Sequence, residues 1–191
     1  MKKQNELIRA YYVSPYGGAP RLALETELDG MAGQCGWGLH FFEDEKQAQE
    51  LADATDQHYE RAKASISCPA SRARYALGRK TLVYAVDVYV AQDEMMDWDT
   101  PIGAQGAKIR RAIRKLGLTE HYAVNSGRAA YYAYALRQGL TLPKARCMMW
   151  TARAFDAQGI KGFKCLSDYG LSTQSRYYQY VIFDPSRVRF A

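Results

Sequence analysis

His40 is the histidine of this sequence whose surroundings best suit chemistry. It lies in the short apolar run Leu39-His40-Phe41-Phe42, directly after a glycine-rich turn. The other histidines, His58 and His121, have no ligand spacing to each other or to His40, so the sequence predicts no metal site. A single histidine in an apolar strand is more often a core residue than a catalyst. His40 alone therefore does not define an active site.

Two glycines in Gly36-Trp37-Gly38 precede this strand. Glycine lets backbone approach a ligand closely, but a turn that requires positive φ explains the pair equally well. The sequence has no phosphate-binding Gly-Lys-Ser/Thr loop, no G-x-G-x-x-G fingerprint and no G-x-S-x-G nucleophile elbow. The common nucleotide-binding loops and serine-hydrolase chemistry are therefore not indicated.

The cysteines are widely scattered and include no C-x-x-C pair, which argues against a disulfide framework and against a zinc site. They are Cys35, Cys68, Cys147 and Cys165. Reduced thiols in a cytosolic protein fit this spacing best. No apolar segment follows the N-terminal lysines, and no stretch approaches membrane-spanning length. We expect a soluble, cytoplasmic protein with no membrane partner, although a dedicated secretion system could deliver it to another cell.

The formal net charge of +6 has two interpretations. A solvated surface with excess lysine and arginine is the simpler one. Nucleic acid is the alternative partner, because five basic residues cluster within residues 108–115. No recognised nucleic-acid motif accompanies them, so this alternative is not favoured.

Hydrophobic periodicity and turn residues predict a single α+β domain over residues 1–191. The predicted strands are 7–13, 39–42, 81–90 and 177–183. The predicted helices begin after Asp44, run through 109–116 and 126–137, and follow Pro143 to a stop at Gly159. Within 81–90 the even-numbered residues are expected to share one face. Residues 65–79 have no regular pattern.

Three short motifs carry a family resemblance. Tyr11-Tyr12-Val13-Ser14-Pro15 resembles the first-strand motif of diphtheria-toxin-type ADP-ribosyltransferases, usually Tyr-His-Gly-Ser-Pro. The segment 36–41 resembles their second motif, Gly-x-Gly-Leu-Tyr-Phe. The segment 178–185 resembles their last-strand motif, in which Glu commonly precedes Tyr-Val-Val-Phe-Asp.

The middle of the chain resembles a narrower group, the ADP-ribosyltransferase-like domains of phage and plasmid polyvalent proteins. The matching parts are residues 96–102 (Met-Asp-Trp-Asp-Thr-Pro-Ile), Gln105, Gly127, residues 159–163 and Ser175-Arg176. Together with the strand motifs, they span nearly the whole chain in the expected order.

The resemblance implies a split pair of mainly antiparallel sheets with flanking helices, which grips NAD in a cleft. It implies an NAD-dependent glycosyltransferase that places ADP-ribose on a macromolecular acceptor, with protein the first choice, as an effector of a mobile element. NAD is the substrate. The positions implied to bind it are Tyr11, Tyr12, Val13, Ser14, Gly36, Gly38, His40 and Phe41.

All three signature positions depart from the family pattern. Tyr12 replaces a histidine that bonds the adenosine ribose, and His40 replaces a tyrosine that packs against nicotinamide. Gln179 replaces the glutamate that holds the nicotinamide ribose, and its amide brings no charge to an oxocarbenium-like centre. The implied catalytic set is His40, Gln179 and Tyr12.

Two further interpretations follow from Gln179. Another carboxylate could take the place of the missing glutamate, and Asp168, Asp184 and Glu43 are the candidates. Alternatively, the chain is a catalytically impaired member of the fold that binds NAD, another nucleotide or a partner.

Overall fold

The computed structural model describes residues 7–14, 32–33, 36–65, 67, 80–118, 125–138, 144–167 and 177–191. These residues form an α+β structure, which confirms the predicted class. The strands are β1 (Leu7–Ser14), β2 (Ala32–Gly33), β3 (Gly36–Trp37), β4 (Leu39–Phe42), β5 (Leu82–Tyr89), β6 (Met95–Asp97), β7 (Gly162–Ser167), β8 (Tyr177–Ile182) and β9 (Val188–Phe190). The helices are α1 (Glu45–Ser65), α2 (Ala107–Lys115), α3 (Gly127–Arg137) and α4 (Lys144–Ala157).

Seven strands form one mixed sheet in the order β6-β7-β8-β4-β1-β5-β9. Only the edge pair β6–β7 is parallel among these described strands. The join between β1 and β4 is narrow, since it contains the single register pair Tyr11–Phe42, whereas β1 and β5 pair along their full length. The sheet therefore has two halves, β6-β7-β8-β4 and β1-β5-β9, connected at one point.

The helix boundaries follow from capping residues, as predicted. The Asp44 carboxylate accepts a hydrogen bond from the Gln47 backbone N–H at 2.8 Å, which caps the start of α1. The Ser126 hydroxyl accepts from the Ala129 N–H at 3.3 Å at the start of α3. Gly117 and Gly159 have φ of 71° and 89°, the left-handed conformation that commonly ends a helix.

An aromatic cluster around Phe163 forms the core between β7 and the helices α3 and α4. The Phe163 ring centroid lies 4.6 Å from that of Trp98, 4.9 Å from that of Tyr131 and 4.8 Å from that of Phe183. In the other half of the sheet, Val86 and Val88 of β5 are fully buried on one face, as the predicted alternation requires.

Strands β2, β3, β6, β7 and β9 were not predicted, and β2 and β3 have only two residues each. β6 and β9 have three residues each, which is too short for a periodic signal. β7 begins with Gly162 and includes Lys164, so its hydrophobic pattern is weak. Gly162 is required because a Cβ there would collide with the Val181 carbonyl of β8. The predicted strand 177–183 ends one residue early, at Ile182.

The segment that resembles the phage and plasmid domains forms a loop whose residues hydrogen-bond to one another. We call it the Asp97–Gln105 loop. The Asp97 carboxylate accepts from the N–H groups of Asp99 and Thr100 at 3.0 and 2.9 Å. The Gln105 amide accepts from Asp97 N–H at 3.0 Å and donates to the carbonyls of Asp97 and Thr100. Gly127 packs against the loop so closely that a Cβ would meet the Asp97 carbonyl. Asp97, Gln105 and Gly127 thus fix the conformation of this loop and its position against α3.

Candidate functional site

Gln179 lies in a row of four side chains that crosses the middle of the sheet. The register pairs Tyr11 with Phe42, Phe42 with Gln179, and Gln179 with Cys165. Paired residues of neighbouring antiparallel strands point to the same face. We call these four residues the Gln179 row. His40 shares this face, because it lies two residues before Phe42 on β4.

The side chain of Gln179 is the most unusual polar group of the row. The residue is only 3% exposed, and its amide makes no hydrogen bond to any residue that the structure describes. Neither of its amide atoms is among the fully buried, unpaired polar atoms of the described residues, so the amide is accessible from the space beside the row. The arrangement suits a site in which a ligand hydroxyl or a water supplies the missing hydrogen bond.

Tyr12 lies on the opposite face of the sheet. Its ring packs 5.8 Å from that of Phe41, which pairs with Tyr180 on β8. The structure therefore brings His40 and Gln179 to one face but not Tyr12, and Tyr11 is the first-strand tyrosine next to the Gln179 row. Side chains alternate along a strand, so neighbouring residues such as Tyr11 and Tyr12 point to opposite faces of the sheet.

The other implied NAD-binding positions lie in the strands β1, β3 and β4 and in the turn between β3 and β4. Phe41 and Ser14 are buried, and Val13 is half-buried. Gly36 belongs to the small β2–β3 ladder. Gly38 has φ of 153°, and a Cβ there would lie 2.8 Å from the Ile182 carbonyl oxygen and from Val181 Cγ1. The close approach of β8 explains this glycine without a ligand.

The described candidates for a substitute carboxylate lie away from the Gln179 row. The Tyr180 hydroxyl donates to Glu43 Oε1 at 3.2 Å on the opposite face. Burial, together with the nearby Glu43 carboxylate, raises the pKa of the Tyr180 hydroxyl above its usual range. Asp184 caps the turn before β9 by accepting from the Ser186 N–H at 2.9 Å. Asp168 lies outside the described residues, as do Cys35, Cys68, His121 and Ser175-Arg176.

Tyr131 supports the turn before His40, a role with no signal in the sequence beyond its place in a tyrosine-rich helix. Its buried hydroxyl donates to the Met148 carbonyl of α4 at 2.7 Å and accepts from the Trp37 backbone N–H at 3.3 Å. Burial raises the pKa of the Tyr131 hydroxyl well above its usual range, so it stays protonated and can donate. The hydroxyl thus links α3, α4 and the turn that precedes β4.

Tyr131→Phe is expected to lower the free energy of unfolding by about 1–3 kcal/mol, because a buried donor and a buried acceptor lose their partner. Denaturant unfolding measures the change. Tyr134→Phe on the same helix is the matched control, because the Tyr134 ring also packs on Phe155 while its hydroxyl bonds to no described residue. Equal losses in the two variants would contradict the linking role.

Among the described residues, no group of His, Cys, Asp or Glu side chains could hold a metal ion. None of the described helices is both long and apolar enough to cross a bilayer. Comparison with protein-family models, curated proteins and solved structures finds no match to this chain. Its own residues therefore carry any assignment of function.

Proposed function

We propose that this chain is an NAD-dependent ADP-ribosyltransferase whose cleft lies along the Gln179 row, and that it transfers ADP-ribose to a macromolecular acceptor, with protein as the first class to test. The observation that carries the proposal is Gln179, a residue only 3% exposed whose amide has no hydrogen-bond partner among the described residues and which shares a face with His40. The resemblance of the ordered motifs supports the same assignment.

The narrow junction of the sheet supports an ADP-ribosyltransferase-like fold. That fold has a split pair of sheets, with NAD between them. Here the two halves of the sheet meet at the pair Tyr11–Phe42, and Gln179 is the next residue across from Phe42. The proposed cleft thus lies beside the point where the sheet narrows.

The proposed reaction needs positioning groups and a nucleophile from the acceptor. Gln179 accepts a hydrogen bond from the nicotinamide ribose, the His40 ring packs against nicotinamide, and the Tyr11 hydroxyl bonds a second ribose. The glycosidic C–N bond breaks, and nicotinamide leaves with the bonding electrons. The acceptor nucleophile then bonds to the ribose carbon and loses its proton, which yields ADP-ribosylated acceptor, nicotinamide and H⁺.

A second candidate function is an NAD- or nucleotide-binding module without turnover. It is favoured by the lack of charge along the Gln179 row, in which Tyr11, Phe42 and Cys165 surround a neutral amide. A neutral row can bind a dinucleotide but offers no anion to oppose a developing cation. Nicotinamide release in the presence of candidate acceptors separates the two functions, because only the transferase produces it.

His40→Ala is expected to weaken NAD binding roughly 3- to 10-fold, because an aromatic ring loses its stacking partner. Calorimetric titration of the purified protein with NAD measures the change. His58→Ala, at an exposed position of α1, is the matched control and should bind like the unaltered protein. Absence of binding at millimolar NAD, or equal affinities of the two variants, would contradict the proposed cleft.

A further inference from the structure

The positive charge of the chain is concentrated in one part of the fold. Residues 102–160, which include α2, α3 and α4, contain ten lysines and arginines but only two acidic residues, a net charge of +8. The rest of the chain therefore has a net charge of −2, since the whole chain has +6. The excess of basic residues is a property of these helices and not of the surface as a whole.

Most of the described basic side chains of these helices point into solvent, while Lys108 of α2 pairs with Glu94 at 2.7 Å. Four on α2, two on α3 and two on α4 are exposed, and none of the eight pairs with a carboxylate of the described residues. The acidic residue within these helices, Asp156, is bonded to Lys161 Nζ at 2.8 Å. Arg137 at the end of α3 donates to the Gly117 carbonyl after α2 at 3.1 Å, and α3 packs on α4. The bond connects α2 to α3, and α4 packs on α3; the exposed basic side chains of these three connected helices are here called the basic layer.

An exposed tryptophan lies within the basic layer. Trp150 of α4 is 50% exposed, whereas Trp37 and Trp98 are buried. Arg146 and Arg153 lie four residues before and three residues after it, so all three share one face of the helix. The Arg153 guanidinium carbon lies 5.8 Å from the centre of the Trp150 ring.

We propose that the basic layer binds single-stranded nucleic acid, with Trp150 stacking on a base and the flanking arginines contacting phosphates. Phosphates supply the negative charge that eight exposed cations attract. An exposed indole between arginines also matches the stacking that unpaired bases offer, and neither a base-paired duplex nor an acidic peptide presents such a free planar face. This proposal does not depend on NAD chemistry.

Anisotropy titration of a labelled 20-nucleotide strand, without NAD and at several salt concentrations, tests the proposal. Trp150→Ala is expected to weaken binding roughly 5- to 150-fold, the range for loss of one stacked base, with an unchanged salt dependence. Intrinsic tryptophan fluorescence should be quenched when the strand binds, and the variant should lose that quenching. Unchanged affinity of a folded Trp150→Ala protein would overturn the stacking role.

Arg146→Ala with Arg153→Ala tests the phosphate contacts. The slope of log affinity against log salt should become shallower by about 1.4, because each lost phosphate contact on a single strand contributes about 0.7. Lys46→Ala with Arg61→Ala on α1 removes the same charge from exposed positions elsewhere and should leave the slope unchanged. An equal change in both double variants would show that only net charge matters and would overturn the assignment to α4.

Competing polyanions complete the test. RNA and DNA strands of the same sequence share the proposed chemistry, and their relative affinities show which one the layer prefers. A duplex of that sequence, polyglutamate and vesicles with anionic lipid should all bind more weakly than the single strand. Equal or tighter binding of any of these three would overturn the proposal.

Discussion

Gln179→Glu is expected to raise the rate of nicotinamide release about 10²- to 10³-fold, if the Gln179 row is the proposed transferase site. A single preorganised group aimed at a developing charge commonly contributes this much to a rate. The glutamine amide can orient the nicotinamide ribose but leaves the oxocarbenium-like centre without an opposing charge. A carboxylate at the same place would supply that charge. Release of nicotinamide from NAD, followed over time, measures the effect.

The gain should depend on pH in a defined direction. Position 179 is only 3% exposed, and burial raises the pKa of a carboxyl group. Only the ionised form opposes the developing positive charge. The rate of Gln179→Glu should therefore rise as pH increases through this raised pKa and should approach the rate of the unaltered protein at acidic pH.

Two controls isolate the position and the charge. Gln179→Leu keeps a similar volume without a polar group, so it should show no rate gain and weaker NAD binding. Gln138→Glu adds the same charge at an exposed position after α3 and should leave the rate unchanged. A folded Gln179→Glu protein that binds NAD but shows no gain at any pH would contradict the placement of Gln179 beside the reacting ribose.

Gln105→Ala is expected to lower the free energy of unfolding by about 2–4 kcal/mol. Gln105 is 6% exposed, and its amide makes three hydrogen bonds to the backbone of Asp97 and Thr100. Removing it leaves one N–H and two carbonyls without these bonds, and each unsatisfied buried group is costly. For a chain of this size, the melting temperature should fall by about 5–15 °C.

Thermal and denaturant unfolding measure this loss, with Gln138→Ala as the matched control. Gln138 is exposed after α3 and its side chain bonds to no described residue, so its removal should have little effect. Gln105→Glu is informative as well, since it keeps an acceptor for the Asp97 N–H but loses both donated bonds. A Gln105→Ala protein as stable as the control would contradict the structural role of the Asp97–Gln105 loop.

The helices were predictable because residues at their ends form caps or terminating turns that can be recognised in the local sequence. Asp44 and Ser126 cap helix starts through their own side chains, and Gly117 and Gly159 adopt the backbone conformation that ends a helix. These signals need no knowledge of the rest of the fold. Strand β7 depends instead on its pairing with neighbours in the sheet, of which β6 lies far from it in the sequence and is too short to carry a periodic signal.

The candidate site was predictable only in part. The motifs led to His40 and Gln179, which the register places on one face of β4 and β8. They also led to Tyr12, which lies on the other face, because a motif aligned by residue type does not fix the alternation of the strand. The contact of Tyr131 with the Trp37 N–H spans 94 residues and leaves no local pattern in the sequence.

The single register pair between β1 and β4 has a mechanical consequence. Elsewhere in the sheet, moving one strand away from its neighbour breaks several hydrogen-bonded pairs, but at Tyr11–Phe42 it breaks one. The sheet should therefore bend or open more easily between β1 and β4 than between any other two neighbouring strands. A molecule bound to both halves would stiffen it, and the backbone amides there would then exchange hydrogen with solvent more slowly.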